Sequence, residues 1–208
     1  MSCEVDPRIL RYIEMVESGS IQACKEQHLL VAHIRNCFET EDIYVDSKQL
    51  DNYLDQVKYF PFERLFPWEE FLIALTDCTY WKKNNRPRWP TFLGLIGRGA
   101  GKDGYIAFDS WCMMTTYNGI DKYHIDICAN NEEQAMQPLR DVLDVLEKPQ
   151  YISKLKKHFY WNKEQVTGRK TGSTLKGRTN SPKGKDGLRS GKVVFNEIHQ
   201  STVSTILL

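Results

Sequence analysis

The chain has no run of about 18 or more apolar residues, so no segment reads as a membrane-spanning helix. Its opening residues, MSCEVDPRILRYIEMVE, lack both the basic start and the apolar stretch of a secretory leader. No CxxC pair occurs among the six cysteines (Cys3, Cys24, Cys37, Cys78, Cys112 and Cys128), and no His/Cys/carboxylate group has zinc spacing. A disulfide framework and a zinc ribbon are therefore excluded, and the cysteines read as reduced core thiols. His28, His33, His124 and His158 are scattered structural or surface residues. Neither an internal repeat nor a true low-complexity tract is present. What remains is a cytoplasmic chain of 208 residues, enough for one medium domain or a domain with an extra lobe.

The net charge of +1 hides an asymmetry. Residues 1–147 carry 15 Lys/Arg against 24 Asp/Glu, whereas residues 148–192 carry 13 against 2. Such a basic block suits an anionic partner, nucleic acid first, or else forms a solvated loop.

Apolar residues recur at helical spacing in DPRILRYIEMVE, QACKEQHLLVAHIRNCF and VDSKQLDNYLDQVKYF, and PWEEFLIALTDCTYW predicts a further short helix with Pro67 in its first turn. TFLGLIG (91–97), an apolar run between Pro90 and a Gly-rich loop, predicts a buried strand. DGYIAFDSWCMMTTY returns to helical spacing, YHIDICAN (123–130) reads as a strand and NEEQAMQPLRDVLDVLEK as a helix. This βαβα order predicts an α/β fold with a mainly parallel sheet in three layers. EQVTGRK and STLKGRT read as short strands of a hairpin, RTNSPKGKDGLRSG as a basic turn-rich stretch, and KVVFNEIHQ (192–200) as a last apolar strand.

GRGAGKDG (97–104) nearly spells a phosphate-binding loop and stands between a predicted strand and a predicted helix, the setting such a loop needs. Gly97, Gly99 and Gly101 permit positive φ and close backbone approach, the helix N-terminus favours anions, and Lys102 can reach terminal phosphates. Ala100 and Gly104 complete the nucleotide-binding stretch. Two positions depart from the pattern: Ile96 stands where the first Gly belongs, and Asp103 stands where a Ser or Thr would bind Mg²⁺. VVFNEIHQ has the form of a Walker B strand, an apolar run (193–195) and then polar groups at the strand's carboxyl end. Glu197 can polarise an attacking water, while Asn196 occupies the place of the metal-binding acid. A carboxylate gained at 103 and one lost at 196 suggest a compensating exchange in which Asp103 binds Mg²⁺ and Asn196 assists through its carbonyl or a water.

In this order, PWEEF (67–71), GRGAGKDG with Arg98 four before the Lys, ICANNEEQAMQPLRDVLDVLE (127–147) and DGLRSGKVVFNEIHQ (186–200) resemble the ATPase part of the large terminase subunit of tailed bacteriophages. The resemblance spans about residues 60–200. It implies a P-loop core with an additional strand, a helical segment over 1–60 and an ATPase domain over 61–208. It further implies ATP and Mg²⁺ as ligands, Arg98 acting on the γ-phosphate and Glu197 activating water. Where that family has a Trp-Gln pair beside the adenine, this chain has Trp68 and Glu69, so Trp68 faces the base or packs in the core. Double-stranded DNA, a small terminase subunit, a portal protein and a homo-oligomeric ring are the implied partners, with the bacterial host cytoplasm as location and no membrane. Because such subunits continue well past Walker B, the resemblance implies an N-terminal piece without the nuclease domain. The Asn-Glu-Ile-His string ending at His199 also resembles DExH helicases, and a catalytically silent assembly or DNA-binding module is the third reading.

Overall fold

Asp6 starts the first helix, α1 (Pro7–Glu17), by accepting the Arg8 N–H at 2.9 Å, with Pro7 in the first turn. Ile9, Tyr12, Ile13 and Val16, spaced three and four apart, are its buried stripe. The structure is a computed structural model that describes residues 5–179 and 189–197. By chain contact it divides into two compact units: residues to Val57 with Phe62–Leu95, and Lys58–Pro61 with the residues from Ile96 onward. The helix over 67–76, counted from the sequence with the ATPase part, lies in the first unit.

In the first unit, α1 packs on α2 (Lys25–Thr40) and on α4 (Pro67–Thr76), where the Tyr12 and Phe71 rings lie 4.5 Å apart. β1 (Ile43–Val45) and β2 (Thr79–Trp81) pair antiparallel through Tyr44 and Tyr80. Between them α3 (Ser47–Leu54) ends earlier than its apolar spacing predicts, and the chain continues as a 3₁₀ turn over Asp55–Tyr59.

The second unit holds α5 (Lys102–Met114), β3 (His124–Ala129), α6 (Glu132–Glu147), α7 (Ile152–Leu155), β4 (Phe159–Trp161), β5 (Gln165–Gly168), β6 (Thr174–Thr179) and β7 (Ser190–Phe195). The sheet order is β4-β5-β6-β3-β7. β3 runs parallel to both neighbours, β6 and β7, whereas β5 pairs antiparallel with β4 and with β6, as a hairpin does. The fold is thus mixed α/β, a parallel group of three strands extended by antiparallel ones. Ile125 and Ile127 of β3 and Leu175 of β6 are fully buried. Helix α6 lies so close over β6 that a Cβ on Gly177 would fall 2.7 Å from the Ala135 carbonyl, a contact only glycine tolerates. Helix α5 contacts α6 as well as β3 and β6. Phe60 is T-shaped against Phe108 and Trp111, and Trp111 meets Phe159 at 4.7 Å, which ties residues 58–61 into this core.

One expectation is overturned. TFLGLIG is not a strand: residues 91–97 form no ladder with any described residue, and Phe92, Leu93 and Leu95 are 46%, 70% and 95% exposed. Apolar composition makes a strand only where an adjacent edge satisfies its backbone groups. Among the described residues none does so for this run, and β7 ends the sheet on one side.

Candidate functional site

The polar residues after β7 sit at the carboxyl ends of the parallel strands, where open α/β sheets place their ligands. The Asn196 N–H donates to the Cys128 carbonyl at 2.8 Å, which carries the β3–β7 pairing one residue past the strand and fixes Asn196 at the sheet end. Glu197 follows with φ 58°, a left-handed backbone unusual for a residue with a side chain and of the kind that collects at functional sites.

The loop before α5 turns on Gly99 and Gly101, at φ 80° and 90°, while Gly97 keeps an ordinary negative φ. A Cβ on Gly97 or Gly99 would meet nothing within 4 Å, so the loop is open on that side. The Ala100 N–H donates to Gly97 O, and Gly101 caps α5 through a bond from the Tyr105 N–H. Lys102 and Asp103 form the first turn of α5, so the free N–H groups of that helix face the loop.

Two pairs join the loop to the end of β7. Lys102 Nζ forms an ion pair with Glu197 Oε1. Asn196 Nδ2 donates to Asp103 Oδ1 at 3.1 Å and to the Gln134 carbonyl at 3.3 Å. The structure therefore brings together Lys102 with Glu197 and Asp103 with Asn196. A lysine at a helix N-terminus opposes the macrodipole, and the Glu197 carboxylate supplies the anion that this position favours. Asn196 is 4% exposed, and its Oδ1 is buried without a hydrogen-bond partner among the described residues. An unpaired buried carbonyl oxygen costs about 1–3 kcal/mol, and a cation or a water bound to it would remove that cost.

Mg²⁺ takes oxygen donors and is usually held by one or two carboxylates together with substrate phosphates. Asp103 and the Asn196 carbonyl suit that donor set. Among the described residues no group of three or more His, Cys, Asp or Glu could hold a metal ion by itself.

Arg98 is exposed and has no bonded partner among the described residues. Trp68 and Glu69 lie in the first turn of α4, in the other unit. There Trp68 is half-buried, and Glu69 has a local duty: Oε2 accepts the Phe66 N–H at 2.7 Å, closing the helix start. Burial pushes the Glu69 carboxyl above its ordinary range. His199 lies outside the described residues. Part of the basic block is spent internally, with Lys148 Nζ on Tyr59 O, Lys192 Nζ on Asp109 and Arg169 Nε on Lys156 O.

Sequence reading missed Gln134, whose carbonyl receives Asn196, and Asp141. Burial raises the Asp141 carboxyl, with the nearby charge of Asp103 adding to it. Asp141 lies seven residues after Gln134 on α6, on the same face two turns on, and that spacing was the available signal for Asp141 alone. No helix among the described residues is long and apolar enough to cross a membrane.

No protein-family model and no curated protein matches the chain. Among solved structures, the large terminase of bacteriophage HK97 superposes with a TM-score of 0.57 at 17% sequence identity over 75% of this chain. The match covers 32% of the terminase, so this chain spans about a third of that protein's length. Over three quarters of its residues, the chain has the fold of a stretch of a phage large terminase.

Proposed function

We propose that this chain is a Mg²⁺-dependent ATPase, the nucleotide-hydrolysing part of a phage DNA-packaging motor, built on a three-layer P-loop core. The observation that carries the reading is the contact of Lys102 with Glu197, 95 residues apart in sequence. It sets a lysine and a carboxylate side by side at the ends of parallel strands, and phosphate binding and water activation are the duties that suit such a pair. The terminase fold agrees with that reading.

In this reading the terminal phosphates enter where Glu197 now meets Lys102. The lysine then transfers its ion pair to the phosphates, and the N–H groups of the Gly99–Gly101 turn and of the first turn of α5 share their charge. Glu197, released, accepts a proton from the water that attacks in line. Arg98, exposed on the loop, swings onto the γ-phosphate. Asp103 and the Asn196 carbonyl would hold Mg²⁺, which supplies charge neutralisation on the phosphates. Double-stranded DNA, a small terminase subunit, a portal and further copies in a ring are the proposed partners, in the host cytoplasm.

The test is phosphate release from ATP with and without Mg²⁺. Lys102→Ala should lower turnover about a hundredfold or more, as loss of a charge clamp does. Equal rates in the wild type and Lys102→Ala would sink the assignment. A second reading is favoured by the exposed 91–97 run: a loop entered from an unpaired segment is held at one end only, which fits a nucleotide-binding but silent module. Binding without turnover would select it.

A further inference from the structure

Away from the loop before α5, described residues of the second unit line a concavity on the face of the sheet turned away from α5 and α6. Strand alternation sorts the two faces. Gly177 packs against α6 and Lys192 pairs with Asp109 of α5, so Leu175, Gly177, Ile125 and Ile127 face the helices. Thr174, Lys176 and Arg178 of β6 and His124 and Asp126 of β3 point the other way. They line a groove of about 210 Å³ together with Arg189 and Ser190.

The floor of this groove is built. Asp126 is 4% exposed and bonds to Arg178 Nε on one oxygen and to the Ser190 hydroxyl on the other. His124 Nδ1 lies 2.9 Å from Thr174 Oγ1. The Arg178 guanidinium is thus held through its Nε, and its two terminal nitrogens have no bond to a described residue. Lys176 and Arg189 likewise have no partner among the described residues, and Arg189 is exposed. Three cations therefore meet a single carboxylate whose two oxygens are already engaged. A fixed guanidinium fork with two loose cations beside it is the donor set that phosphate oxygens take.

We propose that this groove seats backbone phosphates of a nucleic acid and is the part of the 148–192 basic block that grips it. The choice of nucleic acid rests on the motor reading, whereas the selection of a phosphodiester rests on the groove. Lys156 and Lys157 of the same block are exposed point charges with no such floor.

The experiment is fluorescence anisotropy of a labelled DNA duplex with the nucleotide-free 208-residue chain, across a salt series. Lys176→Glu with Arg189→Glu is compared with Lys156→Glu with Lys157→Glu, which changes the charge equally outside the groove. Neither pair breaks a bond to a described residue, and thermal midpoints check that both fold. The groove variant should bind about tenfold or more weakly and flatten the salt slope by roughly two, while the control pair loses less than about threefold. Equal losses in both variants, or no duplex binding by the wild type, would overturn the proposal. ATP displacing the duplex from a Lys102→Ala chain beyond its ionic-strength effect would assign the groove to free nucleotide and also overturn it. If the duplex binds as expected while ATP turnover is absent, the motor reading fails and the groove stands.

Discussion

In the first unit the buried and half-buried charged side chains Asp6, Arg8, Glu41 and Arg88 are satisfied by one another; in the second, several polar and charged groups have no partner among the described residues. Asp6 is 3% exposed and accepts the Arg8 N–H, the Arg8 guanidinium and the Ser47 hydroxyl, while Arg8 also reaches Asp51. Arg88 pairs with Glu41, and Arg11 with Glu70. The second unit has a similar buried centre at Asp126, yet among the described residues around its strand ends Arg98 and the Asn196 carbonyl have no partner, and Lys102 pairs with Glu197. Completed networks of the first kind specify a fold. An incomplete network at strand ends is what the proposed nucleotide site would complete.

The contrast can be broken first at Asp6. Asp6→Ala removes a helix cap and leaves Arg8 half-buried without its main partner, a loss of about 2–4 kcal/mol read by denaturant unfolding. Asp6→Asn keeps the cap and should lose less. Burial pushes the Asp6 carboxyl up, but the Arg8 and Ser47 hydrogen bonds outweigh it and hold its pKa below the ordinary value. A carboxyl depressed in the folded state contributes stability above its unfolded pKa and loses it as pH falls through the folded value. The first unit of the wild type should therefore weaken on acidification below about pH 4, and Asp6→Ala should show less of that dependence. An unchanged acid profile in Asp6→Ala would contradict the network's role.

A smaller effect sharpens the other side of the comparison. Asp103→Ser and Asn196→Asp should each lower Mg²⁺-dependent turnover about tenfold, and the double change should recover most of it, because the pair already share a hydrogen bond. Purely additive losses would separate the two residues. Smallest is Glu69. Glu69→Ala should cost the first unit about 1 kcal/mol by opening the α4 start, while Glu69→Gln, still able to accept the Phe66 N–H, should cost little. Equal losses would remove the cap from the account of Glu69.

Much of this architecture is legible in the sequence because helices advertise themselves. Ile9, Tyr12, Ile13 and Val16 give α1, and the Asn131 cap with its acidic first turn gives α6. β3 was legible because it alternates, with Ile125 and Ile127 buried on one face and His124 and Asp126 on the other. The three-residue strands β1, β2 and β4 are too short to show alternation. TFLGLIG misled for the opposite reason: its composition fits a buried strand, but strand formation depends on a neighbour elsewhere in the chain, which local sequence does not reveal. At the site, residue types and spacing marked Lys102, Asp103, Asn196 and Glu197. The Gln134 carbonyl was invisible because a backbone acceptor carries no residue signature.

The most direct test is nucleotide affinity set beside turnover in Glu197→Gln. If Glu197 stands in for phosphate on Lys102 and also activates water, removing its charge should tighten ATP binding, seen by calorimetry, while turnover falls about a hundredfold or more. Weaker binding in Glu197→Gln, or turnover equal to the wild type, would contradict the account.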